Sequence, residues 1–174
     1  MTADADKLAA MSELERVRRW ATALIALHLD AAVWSFDFDN AKKRAGLCNY
    51  AERRISVSRY LAARYTDDEI HQVLLHEVAH ALAGARAGHG PSWVRAAREL
   101  GYIGRRTHDG EVATELAPWV GRCPAGHEHV RYRRPSRSLS CGLCRRGFDR
   151  AHLIEWQQRE VSDAMRRAAA GGIR

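Results

Sequence analysis

The segment from Thr66 to Gly90 constrains the fold most, because it specifies a helix and places two histidines and a glutamate at defined positions on that helix. Thr66 and Glu69 have the spacing of a capping box, in which each side chain accepts a hydrogen bond from the other residue's backbone. Apolar residues then follow at helical spacing: Ile70, Val73, Leu74, Val78, Ala81 and Leu82. The sequence therefore predicts a helix from about Asp67 to about Ala85, ended by the glycines that follow.

The pattern His-Glu-x-x-His lies within this helix, at His76, Glu77 and His80. Histidines four residues apart project from one helix face, within reach of a single ion. Neutral imidazoles hold zinc without cancelling its charge, so the ion can polarise a carbonyl and lower the pKa of bound water towards about 7. We expect Glu77 to take that water's proton and pass it to the leaving amine of a peptide bond. The alternative is a chance match, since patterns of five residues recur by accident.

A catalytic zinc ion usually has three protein ligands, so a third must follow the first two histidines. His89 is the best candidate, because Gly88 and Gly90 give the backbone the freedom to turn the chain back towards the helix. In the metzincin pattern the third histidine would stand at position 86, which is Arg86, and this disfavours that class. Glu99, on the next predicted helix, is the alternative ligand if the site used two histidines and a carboxylate.

The rest of the first two thirds of the chain predicts two more helices and a small sheet. Residues 12–29 have the apolar spacing of a long amphipathic helix. Residues 34–39 and 54–57 alternate apolar and polar side chains, as strands do, and residues 40–46 between them are predicted as a basic turn. Residues 91–101 predict a helix that starts at a proline and ends at a glycine. An α+β core follows from this order.

The composition, with 46% hydrophobic and 28% charged residues, is that of a globular protein. No apolar run approaches the roughly 18 to 20 residues that a membrane-spanning helix needs. The first residues also lack the basic and then apolar segments of a secretory signal. We therefore expect a cytoplasmic protein that does not enter a membrane, and the sequence does not indicate its oligomeric state.

After Pro118 the composition changes to arginine, cysteine, glycine and proline with short apolar pieces, which is typical of a small module held together by a metal. Cys123, Cys141 and Cys144 cluster there while Cys48 stands alone, a layout that favours thiolate metal ligation over a disulfide framework. The predicted domains are a core at residues 10–118, a metal-held module at 119–150, and a C-terminal helix and tail at 151–174.

Four separated segments resemble the SprT-like family of zinc metallopeptidases: residues 34–48, 55–58, 76–80 and 89–93. The resemblance spans about residues 12 to 150. It implies a zincin-like helical metallopeptidase core with a small sheet, followed by a zinc-ribbon-like module. It also implies that His76, His80 and His89 bind catalytic zinc and that Glu77 is catalytic. Spartan-like members of the family degrade proteins crosslinked to DNA, so the resemblance implies a role in DNA repair as one candidate.

The zinc-ribbon-like module departs from the family, whose ribbon commonly has paired Cys-x-x-Cys knuckles. Here Cys123 and His127 face Cys141 and Cys144, four side chains that can satisfy a tetrahedral structural zinc. His129 competes with His127 for the fourth ligand position. The alternative is a knuckle that has lost its metal and is held by packing alone.

The formal net charge of +7 is concentrated in the same module. Residues 119–150 carry eight basic and two acidic side chains, whereas residues 1–118 carry sixteen of each. Arginine pairs well with phosphate, and aromatic residues such as Tyr132 and Phe148 can stack on unpaired bases, so DNA is a candidate partner. The alternative is a solvated basic surface.

Two function classes remain from the sequence. The first is a zinc-dependent peptidase acting on a protein substrate, with the ribbon as a docking module for substrate or nucleic acid. The second is a zinc-ribbon nucleic-acid-binding or regulatory protein whose peptidase site is idle. The intact Glu77 argues against the second class, because a protein that only binds needs no carboxylate beside its zinc ligand.

Overall fold

The computed structural model describes residues 13–104 and 112–169, which form two compact units divided between Val112 and Ala113. Each unit contains helices and one three-stranded sheet, so the protein has the predicted α+β fold. None of the helices within the described residues is long and apolar enough to cross a membrane.

Among its described residues, the first unit has four helices and three strands. In chain order these are α1 (Glu13–His28), β1 (Ser35–Asp39), β2 (Gly46–Asn49), β3 (Arg54–Ser58), α2 (Arg59–Ala62), α3 (Asp67–Ala83) and α4 (Pro91–Glu99). Helix α1 packs against α3 and β1, and α3 packs against α4 and β2. The core lies between these helices and the sheet and contains the almost fully buried side chains of Val17, Ile55, Val57, Leu61, Ile70, Val73, Leu74 and Val78.

The first sheet has the strand order β1-β3-β2, with β3 parallel to β1 and antiparallel to β2. Strand β2 is therefore an edge strand. It begins at Gly46, where the sequence predicted only the end of a turn. The sequence lacks the usual alternation here, because the buried position Gly46 has no side chain and the apolar Leu47 lies on the exposed side, so pairing with β3 defines the strand.

Helix α3 begins as the capping box predicted. The Thr66 side chain accepts a hydrogen bond from the Glu69 backbone N–H, and the Glu69 carboxylate accepts one from the Thr66 backbone N–H at 2.8 Å. The helix ends at Ala83, two residues before the predicted end. Gly84 ends it, because it adopts a φ of 85° that leaves the helical region.

The second unit contains strands β4 (Trp119–Arg122), β5 (Glu128–Arg131) and β6 (Glu155–Gln158), and helix α5 (Asp163–Ala169). Strand β4 lies in the centre and is antiparallel to both neighbours. Single 3₁₀ turns at Thr114–Leu116 and Arg150–His152 complete the unit. A small sheet whose interstrand connections carry a cluster of cysteines and a histidine agrees with the predicted zinc-ribbon-like module.

The predicted helix from Ala151 is wrong for residues 155–158, which form β6. Trp156 pairs with Gly121 of β4, and a side chain at Gly121 would lie 2.7 Å from the Trp156 ring. The glycine thus leaves room for the indole, and this tertiary contact overrides the local helical pattern. The predicted boundary between the 119–150 module and residues 151–174 therefore falls within one sheet.

Arg159 connects the end of β6 to the start of the second unit. Its Nη2 donates hydrogen bonds to the backbone carbonyls of Thr114, Glu115 and Ala117, at 2.9, 2.9 and 2.8 Å. These carbonyls belong to the 3₁₀ turn and the residue that follows it. The second unit accordingly begins before Pro118, where the sequence placed the change of domain.

Two candidate metal centres

Three histidines of the first unit converge on one point. His76 and His80 lie on the same face of α3, and His89 lies in the turn between α3 and α4. Their Nε2 atoms are separated by 3.2 Å for His76 and His80 and by 3.1 Å for each pair that includes His89. Glu99, the alternative third ligand, is exposed on α4 and does not belong to this group.

The spacing of the three nitrogens fits a single zinc ion. Two ligand nitrogens bound tetrahedrally at about 2.0–2.1 Å from zinc lie about 3.3 Å apart. The observed separations are close to this value. Burial, together with the neighbouring His89, lowers the pKa of His80 to about 4, so this imidazole is neutral at pH 7. Neutral imidazole is the form that binds metal.

Glycines shape the turn that brings His89 to α3. Gly84 and Gly88 adopt positive φ angles of 85° and 49°. Gly90 donates a backbone hydrogen bond to Ala87, and a side chain at Gly90 would lie 2.9 Å from the Ala87 carbonyl oxygen. The chain therefore reverses within seven residues and enters α4 directly after His89.

Glu77 lies beside the histidine cluster and is almost fully buried, with 6% of its surface exposed. Burial raises the pKa of its carboxyl group to about 8, while the backbone N–H of Cys48 and the positive charge of Arg44 act in the opposite direction. Gly46 allows this close approach to β2, because a side chain there would lie 2.7 Å from Glu77 Cγ. The carboxylate is thus packed against the backbone of an edge strand.

The outer edge of β2 faces Glu77. Backbone groups in an antiparallel pair alternate between pointing towards the partner strand and away from it. Ala45 accepts a hydrogen bond from Ser58 at the start of the pairing. Gly46 and Cys48 therefore direct their backbone groups away from β3, and Cys48 uses its N–H to bind the Glu77 carboxylate.

Two aromatic residues after His89 surround the histidines. The Trp93 ring lies 4.8, 5.5 and 4.6 Å from the rings of His76, His80 and His89, and its Nε1 donates to the backbone carbonyl of His76 at 3.4 Å. The Tyr102 hydroxyl lies 3.3 Å from Nδ1 of His76. Sequence reasoning did not select Tyr102, because no local pattern connects it to a histidine 26 residues earlier.

The second cluster lies in the second unit and consists of Cys123, His127, Cys141 and Cys144. His127 Nδ1 lies 3.5, 3.6 and 3.3 Å from the three sulfurs in that order, and the sulfurs of Cys123 and Cys144 are 3.7 Å apart. Thiolates bound tetrahedrally at about 2.3 Å from zinc lie about 3.8 Å apart, so this donor set also fits a zinc ion. Four donors satisfy such an ion completely, as in structural sites.

The structure brings His127, and not His129, into the second cluster. His129 Nε2 lies 3.2 Å from the sulfur of Cys141, but His129 is outside the group of four. The turn from Cys123 to His127 explains the difference. Gly126 adopts a φ of 84° and donates to the Cys123 carbonyl, and the Cys123 N–H donates to His127 at 3.2 Å. This turn directs both side chains to the same side.

Comparison with protein families identifies the class of the chain. A family model described as the SprT-like family matches residues 14–114, more than half of the chain, so the protein belongs to the SprT-like family. The first unit is accordingly a metallopeptidase-like domain that contains a group of potential metal ligands. The cysteine cluster lies outside the matched residues. No curated protein and no solved structure matches the chain.

The two candidate ligands of the second cluster can be separated by substitution. We expect His127→Ala to lose the metal bound by the cysteines, because only His127 contacts all three sulfurs. His129→Ala should retain that metal and serves as the matched control. Zinc per chain, measured by plasma mass spectrometry after dialysis, should fall from two to one only in the first variant. Loss of zinc in His129→Ala alone would show that the ligand assignment is reversed.

Proposed function

We propose that this protein is a zinc-dependent peptidase in which His76, His80 and His89 hold the metal. The observation that carries the proposal is the position of Glu77. Its buried carboxylate is adjacent in sequence to His76, is fixed by the backbone of β2, and lies beside a three-histidine group that fits zinc. A site that only bound metal would have no need to bury a carboxylate next to its ligands, since burial of an acidic group costs free energy.

Zinc, when bound, supplies a Lewis acid that activates water and polarises a peptide carbonyl. The chain supplies the proton transfers. Glu77, whose carboxylate form would be favoured by the positive charge of the bound ion, takes a proton from the attacking water while the water oxygen bonds to the carbonyl carbon. Glu77 then gives this proton to the amide nitrogen as the carbon–nitrogen bond breaks, which releases an amine and a carboxylic acid. Gly46 and Cys48 hold the Glu77 carboxylate against β2 during these transfers.

A polypeptide in an extended conformation is the substrate that fits this site. Strand β2 is an edge strand; of the outward-facing backbone groups of Gly46 and Cys48, the Cys48 N–H binds Glu77 and the others are not used in pairing with β3. An extended segment can add to such an edge by backbone hydrogen bonds, which are independent of side-chain identity. This arrangement favours cleavage of unfolded or flexible protein segments. The cysteine cluster in turn holds a structural zinc, because its four donors leave no position for a substrate.

A groove in the second unit favours nucleic acid as a partner. It has a volume of about 600 Å³ and is lined by Trp119, Arg134, Pro135, Ser136, Arg137, Ser138, Leu153, Ile154, Glu155 and Trp156. Trp119 and Trp156 lie on one face of the sheet, because Trp156 pairs with Gly121, two residues after Trp119. Each indole has a guanidinium over it, with Arg134 at 5.7 Å from the Trp119 ring and Arg131 at 5.9 Å from the Trp156 ring.

Indole rings flanked by guanidinium groups suit unpaired bases joined by phosphates. Bases stack on aromatic rings regardless of sequence, and arginine binds phosphate. We therefore extend the proposal to peptidase activity on DNA-associated proteins. A nucleic-acid-binding protein with an idle peptidase site is the second candidate function, and the same groove supports it.

The substitution Glu77→Gln tests the peptidase directly. We expect hydrolysis of a disordered protein such as casein to fall by about 10²- to 10⁴-fold, because the amide cannot accept the proton of water. Zinc content should be unchanged, since Glu77 is not among the three grouped ligands. Glu99→Gln, which changes an exposed carboxylate on α4, is the matched control and should retain activity. No cleavage by the wild-type protein with zinc bound would favour the second candidate function.

The substitution Gly46→Ala tests whether the contact with β2 positions Glu77. The added methyl group would lie 2.7 Å from Glu77 Cγ and Oε1, so the carboxylate must shift. A displacement of about 1 Å should reduce kcat by about 10²-fold while zinc remains bound. Gly142→Ala is the control, because a side chain there meets nothing within 4 Å. Full activity in Gly46→Ala would show that β2 does not fix the catalytic carboxylate.

Nucleic-acid binding through the groove is tested with the full chain and a fluorescent single-stranded oligonucleotide. We expect Trp119→Ala to weaken binding by about 5- to 150-fold, the loss that corresponds to one stacked base. Arg134→Ala should make the affinity less dependent on salt concentration, by the amount that corresponds to the loss of about one phosphate contact. Arg122→Ala is the matched control, because this exposed arginine pairs with Glu128 and does not line the groove. Equal affinity of all three variants and the wild type would exclude the groove as the binding site.

A further inference from the structure

We propose that Tyr102 is a positioning residue that fixes the tautomer and orientation of His76. The inference rests on the proposed function, because it assigns a role towards the metal held by the histidines. A histidine that binds a metal through Nε2 carries its proton on Nδ1, and an acceptor at Nδ1 holds the ring in place. The Tyr102 hydroxyl oxygen lies 3.3 Å from His76 Nδ1 and can accept this proton.

The end of α4 places the Tyr102 side chain against the His76 ring. Gly101 adopts a φ of 82° and donates to the Arg98 carbonyl at 3.0 Å, while Tyr102 donates its backbone N–H to the Ala97 carbonyl at 2.8 Å. These two bonds form a Schellman motif, the common ending of a helix at a glycine. The motif turns Tyr102 back against the helix, so that only 8% of the residue is exposed.

The surroundings of Tyr102 accommodate both its ring and its hydroxyl group. The ring packs edge-on against His76 and Trp93, with ring centroids 5.4 and 5.8 Å apart. Gly104 lies next to the hydroxyl, and any side chain at that position would overlap it. Trp93 also donates to the His76 backbone carbonyl. The segment that supplies the third histidine therefore holds His76 at both its ring and its backbone.

His76 differs in this respect from the other two candidate ligands. Within residues 13–104 and 112–169, no protein group forms a hydrogen bond with Nδ1 of His80 or of His89. These two rings are also more exposed than His76, of which 6% is accessible. Among the described residues, His76 is thus the most preorganised ligand of the three, and the Tyr102 hydroxyl contributes a contact that orients its ring.

The test is the isosteric substitution Tyr102→Phe in the whole 174-residue chain. The ring and its packing stay, and only the hydroxyl is removed. We expect the affinity of the histidine site for zinc, measured by competition with a chelator, to fall by about 10- to 100-fold. The same competition experiment on His89→Ala, which lacks one of the three histidines, identifies which part of the zinc-binding curve belongs to this site. In the zinc-bound protein, the His76 Nδ1 proton, observed by NMR, should exchange with water faster in Tyr102→Phe than in the wild type.

Tyr50→Phe is the matched control. The Tyr50 hydroxyl donates to the backbone carbonyl of His80 at 3.0 Å and does not contact an imidazole nitrogen. Its loss should leave the exchange of the His76 Nδ1 proton unchanged. Unchanged affinity and unchanged proton exchange in Tyr102→Phe would overturn the inference while leaving the proposed function intact. Failure of the wild-type histidines to bind zinc at all would instead contradict the proposed function.

Discussion

The burial of His76 and Glu77 on the otherwise apolar buried face of α3 is the constraint on which the rest of the first unit depends. Both residues are 6% exposed and stand between Leu75 and Val78, which are 3% and 1% exposed. Buried polar groups must find partners, because an unsatisfied one costs several times the net contribution of an ordinary hydrogen bond. The partners come from three other parts of the chain: the edge strand β2, the turn after α3, and the end of α4.

This requirement explains why the core and the candidate site cannot be separated. The backbone N–H of Cys48 binds Glu77, and Trp93 and Tyr102 contact His76. Each of these groups also belongs to the packed interior, since Cys48, Trp93 and Tyr102 are all members of the main hydrophobic cluster. The packing that stabilises the unit therefore also orients the polar groups, which is what a preorganised site needs.

The second unit reaches stability by a different route. Few of its large side chains are fully buried. Specific contacts take the place of a large core: the cysteine and histidine cluster, the Trp156 ring over Gly121, and the three carbonyl contacts of Arg159. The two clusters also differ in chemistry. Three neutral imidazoles would leave much of the charge of a bound divalent ion uncompensated, whereas thiolates would compensate that charge and complete the coordination.

The sequence by itself determined the features that depend on neighbouring residues. The sequence predicted the start of α3 from Thr66 and Glu69, and it predicted from helical spacing that His76 and His80 lie on one face. Both predictions were possible because the residues concerned lie within one or two helical turns of each other. Tertiary structure alone decided that β2 lies against Glu77, that Tyr102 meets His76, and that residues 155–158 form a strand. These features join residues 26 to 35 positions apart, and their contacts arise from packing and strand pairing, which no local periodicity records.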